Sequence, residues 1–380
     1  MLEWAEQEQQ RSARWRSENS STPPRRVQPA DDAMTADAAF RLASEGIGLL
    51  WRSDFQNARQ LLQALARRAD RKPRKGGKVE VAGTSPGAAF HQHRMRQGQR
   101  ARILSMLLVE IDGDYGIGLR RAPDLRQACA EAWGPADGQP SVASLRGLLG
   151  LVGAHEWRKK GVEIPALGPA PGNRIHAHYG VFSPVRGEYI DLVAQAPLSA
   201  NTLAFDIGTG TGVLAAVLAR RGVQHVVATD QDPRALACAR DNVARLGLAG
   251  RVEVVQADLF PAGQAPLVVC NPPWVPGRPN SPIEQAVYDE GSRMLRGFLA
   301  GLPAHLAPGG EGWLILSDLA EHLGLRSRAE LLEWIAAAGL HVIARSEARP
   351  RHPKATDADD PLHAARSREV TALWRLAPRG

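Results

Sequence analysis

Aromatic residues make up only 5% of this 380-residue chain, and it has just three cysteines. Cys129, Cys238 and Cys270 have no paired spacing. Neither a disulfide framework nor a zinc site is therefore expected, and no metal ligand set is read; a reducing cytoplasm fits. No stretch approaches the ~18 consecutive apolar residues of a membrane span. The first residues carry Glu3, Glu6 and Glu8 and lack the apolar core of a secretory signal, so none is expected. There is no internal repeat. Acids are also in deficit: 40 Asp and Glu against 47 Lys and Arg leave a net charge of +7. That balance suggests an acidic partner, with nucleic acid the leading candidate and plain solubility an equal alternative.

The length allows roughly two to three domains. Residues 1–30 read as a short polar helix followed by a flexible Ser/Pro/Arg segment. Residues 31–165 read as a mostly helical domain. Ser53 with Gln56 resembles a capping box, and Phe55, Ala58, Leu62, Leu65 and Ala66 share one helical face. Further helices are expected over 101–111, 124–133 and 142–160, the last capped by Ser141 and stopped by Gly161. Residues 165–172 are the expected linker. Between the helices, 67–78 holds seven Lys or Arg against one acid, Asp70. Residues 91–102 add Arg94, Arg96, Arg100 and Arg102 with no acid. This density suits phosphate contacts, or equally a solvated loop. Few aromatics interleave, so base stacking by this segment is not indicated.

Residues 171–380 carry the chemistry. Residues 203–207 form a short apolar run suited to a buried parallel strand. Gly208, Thr209, Gly210 and Gly212 follow, and a helical pattern begins at Val213. A strand that feeds a helix through such a turn is a nucleotide site. The dinucleotide fingerprint wants Gly or Ala where Val213 stands. Asp206, two residues before Gly208, could accept hydrogen bonds from an amino group or water but would suit a pyrophosphate poorly. Asp230 ends the next strand, where a ribose diol is held. Asp258, after the third strand, could accept from an adenine amine, with Leu259 or Phe260 against the ring. Each acid could also be an ordinary loop residue.

A fourth strand, 266–270, ends in Asn271-Pro272-Pro273-Trp274. An amide or aromatic amine is a poor nucleophile because its lone pair is delocalised. The Asn271 side-chain oxygen and the Pro272 carbonyl could each accept one N–H, aiming the lone pair at an electrophile. Pro272 and Pro273 stiffen the loop. Trp274 could stack on a base or amide and attract developing positive charge. Further strands are expected at 312–316, 340–344 and 369–376, with helices at 292–306 and 328–338. An irregular insert, 349–368, holds His352 and Lys354; His352 reads as a surface residue.

These pieces resemble the class I S-adenosylmethionine-dependent methyltransferases over roughly 179–377. The resemblance is carried by 206–212, Ala228-Thr229-Asp230, Ala257 to Phe260 and Val268 to Trp274. It is strongest to release-factor glutamine methyltransferases and small-domain RNA methyltransferases. Val181-Phe182-Ser183-Pro184 with Arg186, Glu188 and Asp191 to Val193 is similar to their leading segment. The resemblance implies a Rossmann-like seven-stranded α/β sheet with S-adenosylmethionine as cofactor. The glycine turn would meet the methionine part, Asp230 the ribose and Asp258 the adenine.

The expected activity is methyl transfer to a planar nitrogen, either an exocyclic amine of RNA or a glutamine of a translation protein. The basic N-terminal region favours RNA. A binding protein without turnover would not need the Asn271 clamp. A nicotinamide dehydrogenase is disfavoured by Val213 and by the lack of a hydride-transfer constellation.

Overall fold

The computed structural model describes residues 1–18, 21–71, 85–351, 357, 358 and 360–379. The chain divides into two compact units, residues 1–84 with 91–156, and residues 85–90 with 157–380. In chain order the first unit begins with strands β1 (Leu2–Glu6), β2 (Gln9–Arg16) and β3 (Arg26–Ala30), helix α1 (Ala36–Ser44), strand β4 (Ile47–Trp51) and helix α2 (Phe55–Ala69). Helix α3 (Pro86–Leu104) starts in the second unit and continues through the first; strand β5 (Leu107–Ile111), helix α4 (Arg126–Trp133), strand β6 (Ser141–Ser144) and helix α5 (Leu145–Lys160) follow. The strands form one mixed sheet in the order β1-β2-β6-β5-β4-β3.

This corrects the expected organisation of the N-terminal region. Residues 1–30 are not a helix and a flexible segment; they supply three of the six strands. β1 alternates, with Leu2 and Trp4 buried and Glu3 exposed, and it packs on Leu50, Leu108 and Val142. The expected helical domain over 31–165 does hold helices, but they accompany a sheet. Residues 107–111 and 142–144, read as helix, lie in strands because β5 and β6 pair with each other in antiparallel register. Ser141 is therefore a strand residue and caps no helix. Helix α2 is capped by buried Asp54, not by Ser53: the Gln56 amide donates to its carboxylate at 2.8 Å. Arg120 and Arg121 donate to the same carboxylate, and the Arg121 bond is the main cause of its lowered pKa. The positive φ of Gly161 (+66°) does end α5 as expected. Lys72, Arg74, Lys75 and Lys78 lie outside the described residues.

The second unit opens with a two-stranded antiparallel pair, β7 (Val162–Glu163) and β8 (Arg174–Ile175), followed by helix α6 (Glu188–Gln195). The expected linker, 165–172, is part of this unit: Ile164, Leu167 and Ile175 are buried in its core. Its Pro and Gly residues shape a 3-10 turn at Pro165–Leu167 and mark no boundary; the units divide between 156 and 157.

Strands and helices then alternate: β9 (Leu203–Ile207), α7 (Val213–Arg220), β10 (His225–Asp230), α8 (Pro233–Arg245), β11 (Val252–Gln256) and β12 (Ala265–Cys270). After these come α9 (Arg293–His305), β13 (Leu306–Ser317), α10 (Leu319–His322), α11 (Arg328–Ala337), β14 (Leu340–Ala348), α12 (His363–Arg366) and β15 (Thr371–Pro378). The sheet order is β11-β10-β9-β12-β13-β15-β14, and β15 runs antiparallel to both neighbours. Seven strands in this order make the Rossmann-like sheet that the sequence implied. Its central strands are apolar on both faces because helices cover both. One face packs against α6 and α7 through Ile190, Val193, Leu214 and Val217. The other packs against α9 and α11 through Leu295, Phe298, Leu331 and Ile335. No helix among the described residues is long and apolar enough to cross a membrane.

The N-terminal strands give the first prediction. Trp4 is buried in the first unit's core, so Trp4→Ala should destabilise that unit by about 3–5 kcal/mol. Urea denaturation followed by hydrogen exchange at residues 2–16 and 107–111 would read this. A change within about 0.5 kcal/mol, as for surface positions, would mean the segment does not belong to the core.

Candidate active site

The strand order reverses between β9 and β12; at such a switch point open α/β sheets bind ligands in the crevice outside the strands' C-terminal ends. Register decides which residues meet at it. Ile207 pairs with Thr229 on β10 and with Cys270 on β12. Gly208 is thereby flanked by Asp230 on one side and Asn271 on the other. Asp230 pairs in turn with Gln256 near the end of β11, which leads to Asp258. The glycine turn, the two strand-end acids and the Asn-Pro-Pro-Trp turn thus share one sheet edge.

Gly208, Gly210 and Gly212 have φ of +71°, +54° and +80°. A side chain would be strained at each. A Cβ on Gly208 would also fall 2.4 Å from Met294 Cε, whereas one on Gly210 would meet nothing within 4 Å. The turn therefore presents open space at Gly210. Asp206 is buried beneath it. Its Oδ2 accepts from the Thr209 hydroxyl at 2.6 Å and from the Ala215 amide at 3.1 Å, fastening β9 to the first turn of α7. Burial is the main influence on this carboxyl and pushes its pKa up to about 6.

The Asp230 carboxylate accepts from the amides of Gly210 and Asp232, each at 3.0 Å. Burial raises its pKa too. An ionised carboxylate has about four acceptor sites, so these amides leave it further capacity for a diol. Asp258 is exposed and accepts no hydrogen bond among the described residues. Leu259 stands at φ +69°, and its carbonyl accepts from Thr229. Of the two candidates for the adenine ring, Phe260 is already engaged. It stacks on His305 at 4.3 Å and on Phe298 at 5.8 Å, which leaves Leu259 at this end. Open space at the turn, a paired acid and an unengaged acid at successive strand ends fit a nucleoside with a polar tail.

At the β12 turn the Trp274 indole N–H donates to Asn271 Oδ1 at 2.8 Å. An indole nitrogen only donates, so this bond fixes which end of the Asn271 amide is oxygen. Trp274 is half-buried and belongs to the core on both sides of the sheet. Its face is not free in the way the sequence suggested: the Arg186 guanidinium lies 5.1 Å over the ring, and Tyr189 meets it edge-on at 6.5 Å. The sequence marked Arg186 and Glu188 without a role. It gave no sign of Tyr189 beside them, or of Ser317 and Glu369, which join them from distant parts of the chain. His352 and Lys354 lie outside the described residues.

A raised carboxyl pKa has a definite consequence for stability. Asp206 ordinarily titrates near 3.8 and here near 6. Its contribution is full below about pH 4 and is lost as pH rises through 6, where the folded state must ionise a buried group. Asp206→Asn should therefore match the wild type near pH 4 and exceed it by about 3 kcal/mol at pH 8, at 1.36 kcal/mol per pH unit. Calorimetry across this range would show it. A variant less stable at every pH would mean that Thr209 and Ala215 hold the carboxylate ionised.

Residues 172–330 match the family model of the methyltransferase small domain. The release factor glutamine methyltransferase of Cereibacter sphaeroides is 31% identical over 194 residues, covering 47% of this chain and 68% of that protein. The tRNA1(Val) (adenine(37)-N6)-methyltransferase of a Shewanella species is 28% identical over 164 residues, 40% of this chain and 68% of that protein. The ribosomal protein L11 methyltransferase of Pelotomaculum thermopropionicum is 51% identical over a shorter stretch of 69 residues, 18% of this chain and 22% of that protein. Sheet order, crevice and these relatives agree: the chain belongs to the small-domain family of class I methyltransferases, enzymes whose methyl donor is S-adenosylmethionine.

Proposed function

We propose that this enzyme transfers the methyl group to an exocyclic amine of an RNA base. The observation that carries the amine reading is the Trp274 to Asn271 hydrogen bond. With its oxygen fixed, Asn271 has one lone pair left to accept an acceptor N–H, and the neighbouring Pro272 carbonyl can accept the other. Two fixed acceptors hold the nitrogen so that its lone pair faces the donor's methyl group. Pro272 and Pro273 keep the turn from relaxing. The donor supplies an electrophilic methyl on a sulfonium. The nitrogen becomes acidic once methylated, so no strong base is needed.

In this reading Asp206, Gly208, Thr209, Gly210 and Gly212 hold the donor's methionine part. Asp230 accepts from the ribose hydroxyls, and Asp258 from the adenine amine, with Leu259 against the ring. Asn271 serves donor and acceptor sides alike. Asp230→Ala should weaken donor binding by about 1–3 kcal/mol, the scale for a buried hydrogen bond left unmade. Asn271→Ala should weaken donor binding far less than it slows turnover, which should fall on the order of a hundredfold or more. Calorimetry with the donor and single-turnover rates separate the two. An Asn271→Ala enzyme with near-native rate would remove the amine-holding role.

RNA is favoured over protein by the surface of the first unit. Arg100 donates twice to Asp70, at 2.7 and 3.0 Å, which ties α3 to the end of α2. Arg67 lies about one turn before that acid and Arg96 one turn before Arg100. Arg67, Arg71 and Arg96 are exposed. The second reading is a glutamine side chain of a translation protein, as in the name of the Cereibacter relative. Replacing Arg67, Arg71 and Arg96 by Gln should lower the log–log salt slope of RNA binding by roughly 0.7–0.9 for each phosphate no longer neutralised. Stability should stay within about 0.5 kcal/mol per site. Unchanged affinity and slope would put the glutamine reading ahead.

A further inference from the structure

We infer that Arg186 is a positioning residue for methyl transfer: clamped by two buried glutamates, it holds Trp274 in place and through it the oxygen of Asn271. This rests on the proposed role of Asn271. Arg186 Nε donates to Glu188 at 2.8 Å, and another guanidinium nitrogen donates to Glu369 at 3.0 Å. Both glutamates are buried, at 4% and 3% exposure. The Ser317 hydroxyl donates to the same Glu369 oxygen at 2.7 Å and accepts from the Leu319 amide at 3.0 Å.

Four stretches of chain meet here: the segment before α6, the turn after β12, the end of β13 and the residues before β15. Stability alone is a weak reason for such a cluster. Two carboxylates taken from water against one guanidinium are costly, and an apolar packing of the same volume often does as well or better. Orientation is the better account. The planar guanidinium, held at two corners, lies over the Trp274 ring, and the geometry suits Arg far better than Lys. Trp274 cannot tilt without leaving it. If Trp274 tilts, the indole N–H leaves Asn271, and the amide is free to turn its NH2 toward the acceptor. Two donors would then face each other where the reaction needs an acceptor.

The test is a set of substitutions in the full-length enzyme. Arg186→Lys keeps the charge but cannot cover the ring and reach both glutamates. Trp274→Phe keeps a ring and removes the N–H. Each should lower kcat about tenfold or more while the acceptor KM and the donor affinity change less than about twofold. Because both act on the same Asn271 oxygen, the double variant should lose little more than the worse single one. Near-native kcat in Arg186→Lys, multiplying losses in the double variant, or a parallel fall in donor affinity would overturn the inference. If Arg186→Lys does not fold, Glu369→Gln takes its place in the same cycle with Trp274→Phe. Asn271→Ala is the reference. If it retains its rate, the amine-holding role fails; if it is inactive while Arg186→Lys is not, only the positioning role fails.

Discussion

Asp206 is the point on which the catalytic unit is assembled. It sits on the central strand with its carboxylate out of water, and it is kept there by one hydroxyl and one amide from the residues that follow. Those bonds hold the glycine turn at the end of β9, where Gly208, Gly210 and Gly212 take a positive φ that would strain any other residue. The turn then sets the level of the crevice floor. Asp230 reaches it by accepting from Gly210, and Thr209 adds a backbone bond to Thr229 at 2.8 Å. A buried acid with a raised pKa is a poor choice for stability, and functional sites are where such choices concentrate.

The fold of the second unit was legible because its physics is local. Strands covered on both faces are apolar throughout, and β9, β10 and β12 stand out from the helices between them for that reason. Strand-end acids and turn glycines then fall into place by spacing. The first unit was not legible in this way. β2 reads Gln-Gln-Arg-Ser-Ala-Arg-Trp-Arg, mostly solvent-facing, and nothing in it announces a strand. β5 and β6 lie next to helices in the chain and were read as their extensions. What makes them strands is their pairing with each other, Val109 opposite Ala143. Strand preference is largely a matter of such neighbours. The stretch 165–172 misled for a related reason: Pro and Gly usually mark a surface connection, but here the flanking Ile164 and Ile175 are pinned in the core.

The site divides along the same line. Every residue of the glycine turn and of the Asn-Pro-Pro-Trp turn could be named from sequence, since each motif is contiguous. What surrounds them could not. Arg186 and Glu369 are 183 residues apart, and their meeting depends on β15 being inserted antiparallel beside β13. The expectation of an open Trp274 face failed on this point. An indole in a motif shows what it could do, and only the folded chain shows what already lies against it.

Charge gives the crevice its direction. Around the two turns lie Asp206, buried, and Asp230, half-buried, both with raised pKa, and Glu188 and Glu369 sharing the single guanidinium of Arg186. Both aspartates are raised chiefly because they are drawn out of water, and neighbouring acids add to this in a minor way. In the proposed site the methyl donor is a sulfonium cation, and its positive charge would favour the ionised form of both carboxylates. Methyl transfer removes that positive charge. The demethylated product would then compensate the same carboxylates less well than the donor did. In the proposed site this difference in charge would act in favour of the donor over its product.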